Sequence, residues 1–128
     1  MSKDYRIYIR DMLVHAGYID MALAGYDLEM FASQRDTKAA VERYLEIIGE
    51  AAKHVPADIR TRYPQVNWRQ AAGMRDVLAH DYPSIDIEVL WYTATQMVPA
   101  MAEILREILR EEASGYTESN GSDDIDKH

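Results

Sequence analysis

The chain's only imidazoles are His15, His54, His80 and His128, and imidazole is the side chain whose proton equilibrium lies nearest neutrality. Asp11 precedes His15 by four residues and Glu50 precedes His54 by four, so each pair shares one helix face. Such pairs are common on solvated helices. The twin Glu-x-x-His copies of a carboxylate-bridged di-metal bundle are missing, so no metal site is expected. His128 receives no role. His80 differs in its surroundings, Arg75-Asp76-Val77-Leu78-Ala79-His80-Asp81-Tyr82, directly before Pro83. Five residues of ideal helix turn a side chain by about 500° and advance it by about 7.5 Å, which leaves Arg75 and His80 roughly 140° apart. Their convergence requires the arginine to reach forward and the helix to loosen at its end, where Pro83 disfavours helical geometry in the residue before it. A structural reading stands beside this one: Arg75 pairs with Asp76 or Asp81, and His80 is a helix C-terminal residue favoured by the dipole.

Charge sorts the chain into unlike stretches. Net charge over the 128 residues is −8, a balance that ordinarily opposes nucleic-acid binding. Residues 111–128 alone carry −5. Between Lys53 and Arg75 the sign reverses, because Lys53, Arg60, Arg62, Arg69 and Arg75 face one acid, Asp58. That stretch, local charge +4, is the part expected to meet phosphate. With no cysteine, disulfides, thiolate metal sites and cysteine nucleophiles are excluded, and a cytoplasmic setting is expected. No apolar run approaches the roughly 18 residues of a membrane span, and no signal-peptide stretch is seen.

The elements that must position these residues read as helices throughout. Tyr5, Tyr8, Met12, Ile19, Leu23, Tyr26 and Met30 recur at three-and-four spacing, which predicts one long amphipathic helix from Asp4 to about Phe31. At about 40 Å it is long enough that one four-helix core need not cover it, leaving a remainder for a dimer. Asp36 or Thr37 is expected to cap a second helix with Val41, Leu45, Ile48, Ala52 and Val55 on its stripe, ending at Pro56. A short turn follows to Val66. Asn67 can cap a helix over Trp68 to Asp81, and Ser84 or Asp86 a last helix from Ile87, kinked near Thr95 by Pro99. The methionines read as core filler. The expected architecture is an all-α, up-and-down four-helix bundle with an additional short helix over residues 1–113. The acidic 114–128 segment is expected to be disordered, having too little apolar material to order it.

The pattern Arg-x4-His-x-Tyr, here Arg75, His80 and Tyr82, resembles the signature of HEPN-domain toxins, specifically the HepT-like partner of HepT/MntA toxin–antitoxin pairs. Arg43-Tyr44-Leu45-Glu46-Ile47-Ile48-Gly49-Glu50-Ala51-Ala52 is similar to that family's second-helix string. Trp68 before the motif, and Tyr82-Pro83-Ser84-Ile85-Asp86 with Trp91 after it, extend the likeness over roughly residues 4–110. The resemblance implies a dimerising helical domain and an endoribonuclease that needs neither metal nor cofactor, with its cleft at the dimer interface. Arg75 and His80 become the catalytic pair, with Asp76 in support; from spacing alone, Glu46 and Glu50, four apart on the second helix, are placed either to orient Arg75 or as a solvated carboxylate face. Asp76 stands where such proteins frequently carry Asn, and an acid facing the cleft would weaken phosphate binding. Tyr82 resembles the tyrosine to which an MntA-like nucleotidyltransferase antitoxin transfers AMP.

The residue types suit that chemistry. Attack by an RNA 2′-hydroxyl needs a proton acceptor there, a donor at the leaving 5′-oxygen and a cation beside the phosphorane. Histidine can serve the first two, arginine's planar fork suits the third, and a symmetric dimer supplies two of each. The expected partners are an RNA substrate (tRNA or mRNA), a second copy of the chain, and the antitoxin, in a larger hetero-oligomer where the two assemble; no membrane is involved. A bundle of another class, catalytically silent and serving as a binding module for the transferase, is the competing expectation.

Overall fold

A computed structural model describes residues 4–80 and 86–127, with side chains described outside 75–80 and 115–127. Every regular element among the described residues is helical: α1 (Arg6–Leu23), α2 (Leu28–Ser33), α3 (Arg35–His54), α4 (Ala57–Arg62), α5 (Trp68–His80), α6 (Ile87–Tyr92), a π-helical turn (Thr93–Met97) and α7 (Val98–Lys127). The expected all-α bundle is therefore present. In it α3 packs against both α1 and α5, and α1 packs against α7.

The first expected helix is two helices. Leu23 ends α1, and Gly25 takes φ 79°, the left-handed conformation that a side chain disfavours. The Tyr26 N–H donates to the Leu23 carbonyl at 3.0 Å, and the Asp27 carboxylate restarts the chain by accepting from the Met30 N–H at 2.8 Å. This break resets the helical phase. Ile9, Met12, Ala16, Ile19 and Leu23 are buried as one stripe of α1, but in α2 it is Phe31 that is buried, at 0 % exposure, and not Met30, at 43 %. Core filling by methionine holds for Met12, Met74 and Met101, whereas Met21 is 76 % exposed.

The stripe of α3 is buried as its spacing predicts, from Val41 through Leu45, Ile48 and Ala52 to Val55 just beyond its end. Its N-cap is Gln34, without a side-chain bond, and not Asp36 or Thr37, which lie inside the first turn. Thr37 instead shares a 3.0 Å hydrogen bond with the Tyr26 hydroxyl, tying the α1–α2 link to α3. Pro56 precedes α4, and the Asn67 side chain caps α5 by accepting from the Gln70 N–H at 3.0 Å. Trp68 is buried and donates its indole N–H to the Tyr63 carbonyl at 2.9 Å, which fixes where α5 starts.

Asp86 caps α6 by accepting from the Glu88 N–H at 2.9 Å. The distortion expected from Pro99 takes the form of the π-helical turn at Thr93–Met97, because proline has no N–H for the Thr95 carbonyl. Thr93 and Thr95 donate their hydroxyls to the carbonyls of Val89 and Trp91, at 2.8 and 2.7 Å. Beyond it, Val98, Met101, Ala102, Leu105 and Ile108 complete the core. The backbone of α7 is helical to Lys127.

Candidate functional site

Arg75, Asp76 and His80 all lie on the second half of α5, which remains helical through His80. The helix does not loosen before the histidine, so the backbone keeps Arg75 and His80 about 7.5 Å apart along the axis. Their side chains, and all of Tyr82, lie outside the described residues.

The basic residues fall into place at the opposite end. Lys53 closes α3, Arg60 and Arg62 belong to α4, and Arg69 opens α5, eleven residues or about 16 Å before His80. They cluster along the chain where α3, α4 and α5 connect, at the end of α5 away from His80. Arg62 is engaged with Glu112 at 3.5 Å, Arg69 is exposed, and the Arg60 Nε is buried without a hydrogen-bond partner. At this corner the Tyr63 hydroxyl donates to the Glu112 carboxylate in a short hydrogen bond. That bond, opposed by partial burial, and the neighbouring Tyr5 and Arg62 hold the Glu112 carboxyl below its ordinary range. The Tyr5 hydroxyl is buried with no bond of good geometry, and burial together with the Glu112 charge pushes its ionisation well above that of a free phenol. Sequence reasoning missed this clasp, since nothing in local spacing joins positions 5, 63 and 112.

Glu46 sits on α3, paired with Arg43 at 3.5 Å, and lines an open groove of about 320 Å³ between α1 and α3. Tyr8, Asp11, Glu50 and His54 share that groove. His54 stacks on Tyr8, ring centroids 5.2 Å apart and planes 21° apart, and meets Glu50 at 3.5 Å. His15 binds the Asp11 carbonyl through Nδ1 at 2.8 Å and packs edge-on against Tyr18. His15 also faces Tyr44 of α3, ring centroids 6.1 Å apart, so both histidines lie at the α1–α3 contact. Among the described residues no group of three or more histidine or acidic side chains could hold a metal ion. None of the described helices is long and apolar enough to cross a membrane.

A second groove, about 360 Å³, runs between α5 and the π turn with α7. Gln70 and Met74 line it from α5, the helix that carries the motif, and Tyr92, Gln96 and Met97 from the other wall. The four-residue spacings 70/74 and 92/96 were the available signals, but only packing shows that they face each other.

Residues 8–108 match the family model described as "Ribonuclease HepT-like". That span runs from α1 into α7 and includes Arg75 and His80. The chain belongs to this family. Among similar proteins, "Putative RNase MJ0125" of Methanocaldococcus jannaschii is 35 % identical over 110 residues, 86 % of this chain and 95 % of that protein. "Probable ribonuclease HepT" of Thermococcus cleftensis is 36 % identical over 101 residues, 79 % of this chain and 92 % of its own. "Putative RNase TTE0752" of Caldanaerobacter subterraneus is 33 % identical over 110 residues, covering 86 % and 98 %. No solved structure matches. The HepT-like match stops before the acidic segment.

Proposed function

We propose that this HepT-like chain is a metal-independent endoribonuclease, the toxin of a toxin–antitoxin pair, acting on RNA in a cleft formed by two copies. The observation that carries the reading is the family match over 8–108, which contains the Arg75/His80 motif on the end of one helix. His80 of one copy accepts the 2′-hydroxyl proton, the imidazole of the second copy protonates the leaving 5′-oxygen, and Arg75 stabilises the phosphorane. A dimer is required because each chain has one histidine at the motif. Tyr92, 57 % exposed, lines the α5 groove and supports pairing on this side of the bundle. The distant basic corner suits phosphates flanking the scissile one. AMP placed on Tyr82 by a nucleotidyltransferase antitoxin sets a bulky anion two residues from His80 and opposes substrate by repulsion and occlusion.

The test incubates purified protein with tRNA and mRNA in EDTA. Cleavage that persists in EDTA and disappears in both Arg75→Ala and His80→Ala supports the proposal. Intact RNA with preserved binding to the transferase overturns it in favour of a silent binding module.

A further inference from the structure

The groove between α5 and the π turn with α7 has an apolar floor and an uncharged polar rim. Ala71, Met74 and Met101 form the floor, at 2, 7 and 8 % exposure. Gln70 stands exposed on one wall, and Tyr92 and Gln96 on the other. Among the described residues no lysine, arginine, aspartate or glutamate lines it, although these types make up 28 % of the chain. A concave apolar site with a few placed polar groups is the usual form of a small-ligand site.

Local structure presents these groups. Gln70 and Met74 are four residues apart on α5 and so share a face. The Asn67 cap takes up the Gln70 backbone N–H, which leaves the Gln70 side chain out of the capping. Tyr92 and Gln96 reach the facing wall across the π turn, and wide turns of this kind are frequent at functional sites. Among the described residues neither glutamine amide has a hydrogen-bond partner, and the Tyr92 ring is 57 % exposed.

The lining selects a class of ligand. A phosphate, carboxylate or ammonium would enter without a counter-charge, so a neutral ligand is favoured. Each amide offers two donors and an acceptor, the exposed tyrosine offers a stacking face, and methionine thioethers pack well against aromatic rings. A flat heteroaromatic ring with donors and acceptors along its edge uses all three, and glutamine amides pair with base edges in this way. Such a base must be unpaired to be reached. Met74 directly precedes Arg75 and lies about 9 Å before His80 along the helix, with Gln70 about 15 Å before it. Arg69, exposed and one position before Gln70, is placed to hold a phosphate beside the groove. Resting on the ribonuclease reading, we infer that this groove binds one unpaired nucleobase of the RNA, on a nucleotide flanking the scissile phosphate, and that Gln70 and Gln96 set which base is accepted.

The methionines allow a direct test on the whole chain. With methyl-13C methionine, the protein is titrated with adenosine, cytidine and uridine, which carry no phosphate. Shifts at the Met74, Met97 and Met101 methyls, with Met12, Met21 and Met30 unmoved, are expected, and Tyr92→Ala should abolish them. Silent groove methyls, or shifts that persist in Tyr92→Ala, overturn the inference. Shifts that follow protein concentration instead of nucleoside place a second copy on the groove and also overturn it. The second measurement is a census of bases around the cut bond in a randomised single-stranded RNA pool. A preference of about tenfold at one flanking position, flattened in Gln70→Ala and in Gln96→Ala while cleavage continues, supports the inference. A preference unchanged in both variants overturns it and leaves the ribonuclease reading standing. If no RNA is cut, that reading fails, and the methyl shifts still decide whether the groove takes a base.

Discussion

Removing the Tyr63 hydroxyl and the Glu112 charge, singly and together, tests the clasp that holds α7 against the end of α4. Tyr63→Phe deletes one O–H donated to a carboxylate. Hydrogen bonds to charged groups contribute about 1.5–3 kcal/mol. The Glu112 side chain is 23 % exposed, so partial screening sets the expectation near the lower end, about 1.5 kcal/mol. Glu112→Gln loses that bond's charge and the 3.5 Å ion pair with Arg62, whose side chain is 56 % exposed and adds a few tenths of a kcal/mol at most. Each single variant should lose about 1–2 kcal/mol, and the double variant about 1 kcal/mol less than their sum, because one deletes and the other weakens the same bond. Urea denaturation of the four proteins at neutral pH reads this coupling. The sign with pH follows from the lowered Glu112 carboxyl. Its contribution is full above the ordinary value of 4.5 and is lost as pH falls through the lower folded value, so the coupling fades in acid. Additive losses, or a coupling unchanged in acid, would refute the reasoning.

Gly25→Ala should destabilise by about 1 kcal/mol through its φ of 79° alone, since the new Cβ meets nothing within 4 Å; a lowered melting temperature checks it. Leu105→Ala removes a side chain at 0 % exposure and should cost about 2–5 kcal/mol in chemical denaturation. Treatment with the nucleotidyltransferase and ATP should add AMP to the wild-type Tyr82 peptide by mass spectrometry and none to Tyr82→Phe; equal labelling of the variant removes Tyr82 from its assigned role.

Much of the bundle was legible because its signals are local. The α3 stripe, the Asn67 and Asp86 caps and the Pro99 distortion each depend on residues a few positions apart, and each appears where spacing puts it. The break at Gly25 was not legible, since a glycine inside a helical pattern is tolerated, and whether it turns left-handed depends on what α2 must bury. The sorting of Met30 outward and Phe31 inward follows from that break. The candidate site divides the same way. Arg75 and His80 stand out as a pair in the chain, but the removal of the basic residues to the far end of α5 is a consequence of helix length and chain reversal at α4. The Tyr5/Tyr63/Glu112 clasp joins three distant positions and leaves no trace in local spacing.

The central claim is RNA scission by its own 2′-hydroxyl, driven by imidazole and guanidinium groups without a metal. Mass spectrometry of the termini of RNA cut in EDTA tests it most directly. A 2′,3′-cyclic phosphate on one fragment and a 5′-hydroxyl on the other is the predicted result. A 5′-phosphate with a 3′-hydroxyl, the products of attack by water at phosphorus with departure of the 3′-oxygen, would contradict it.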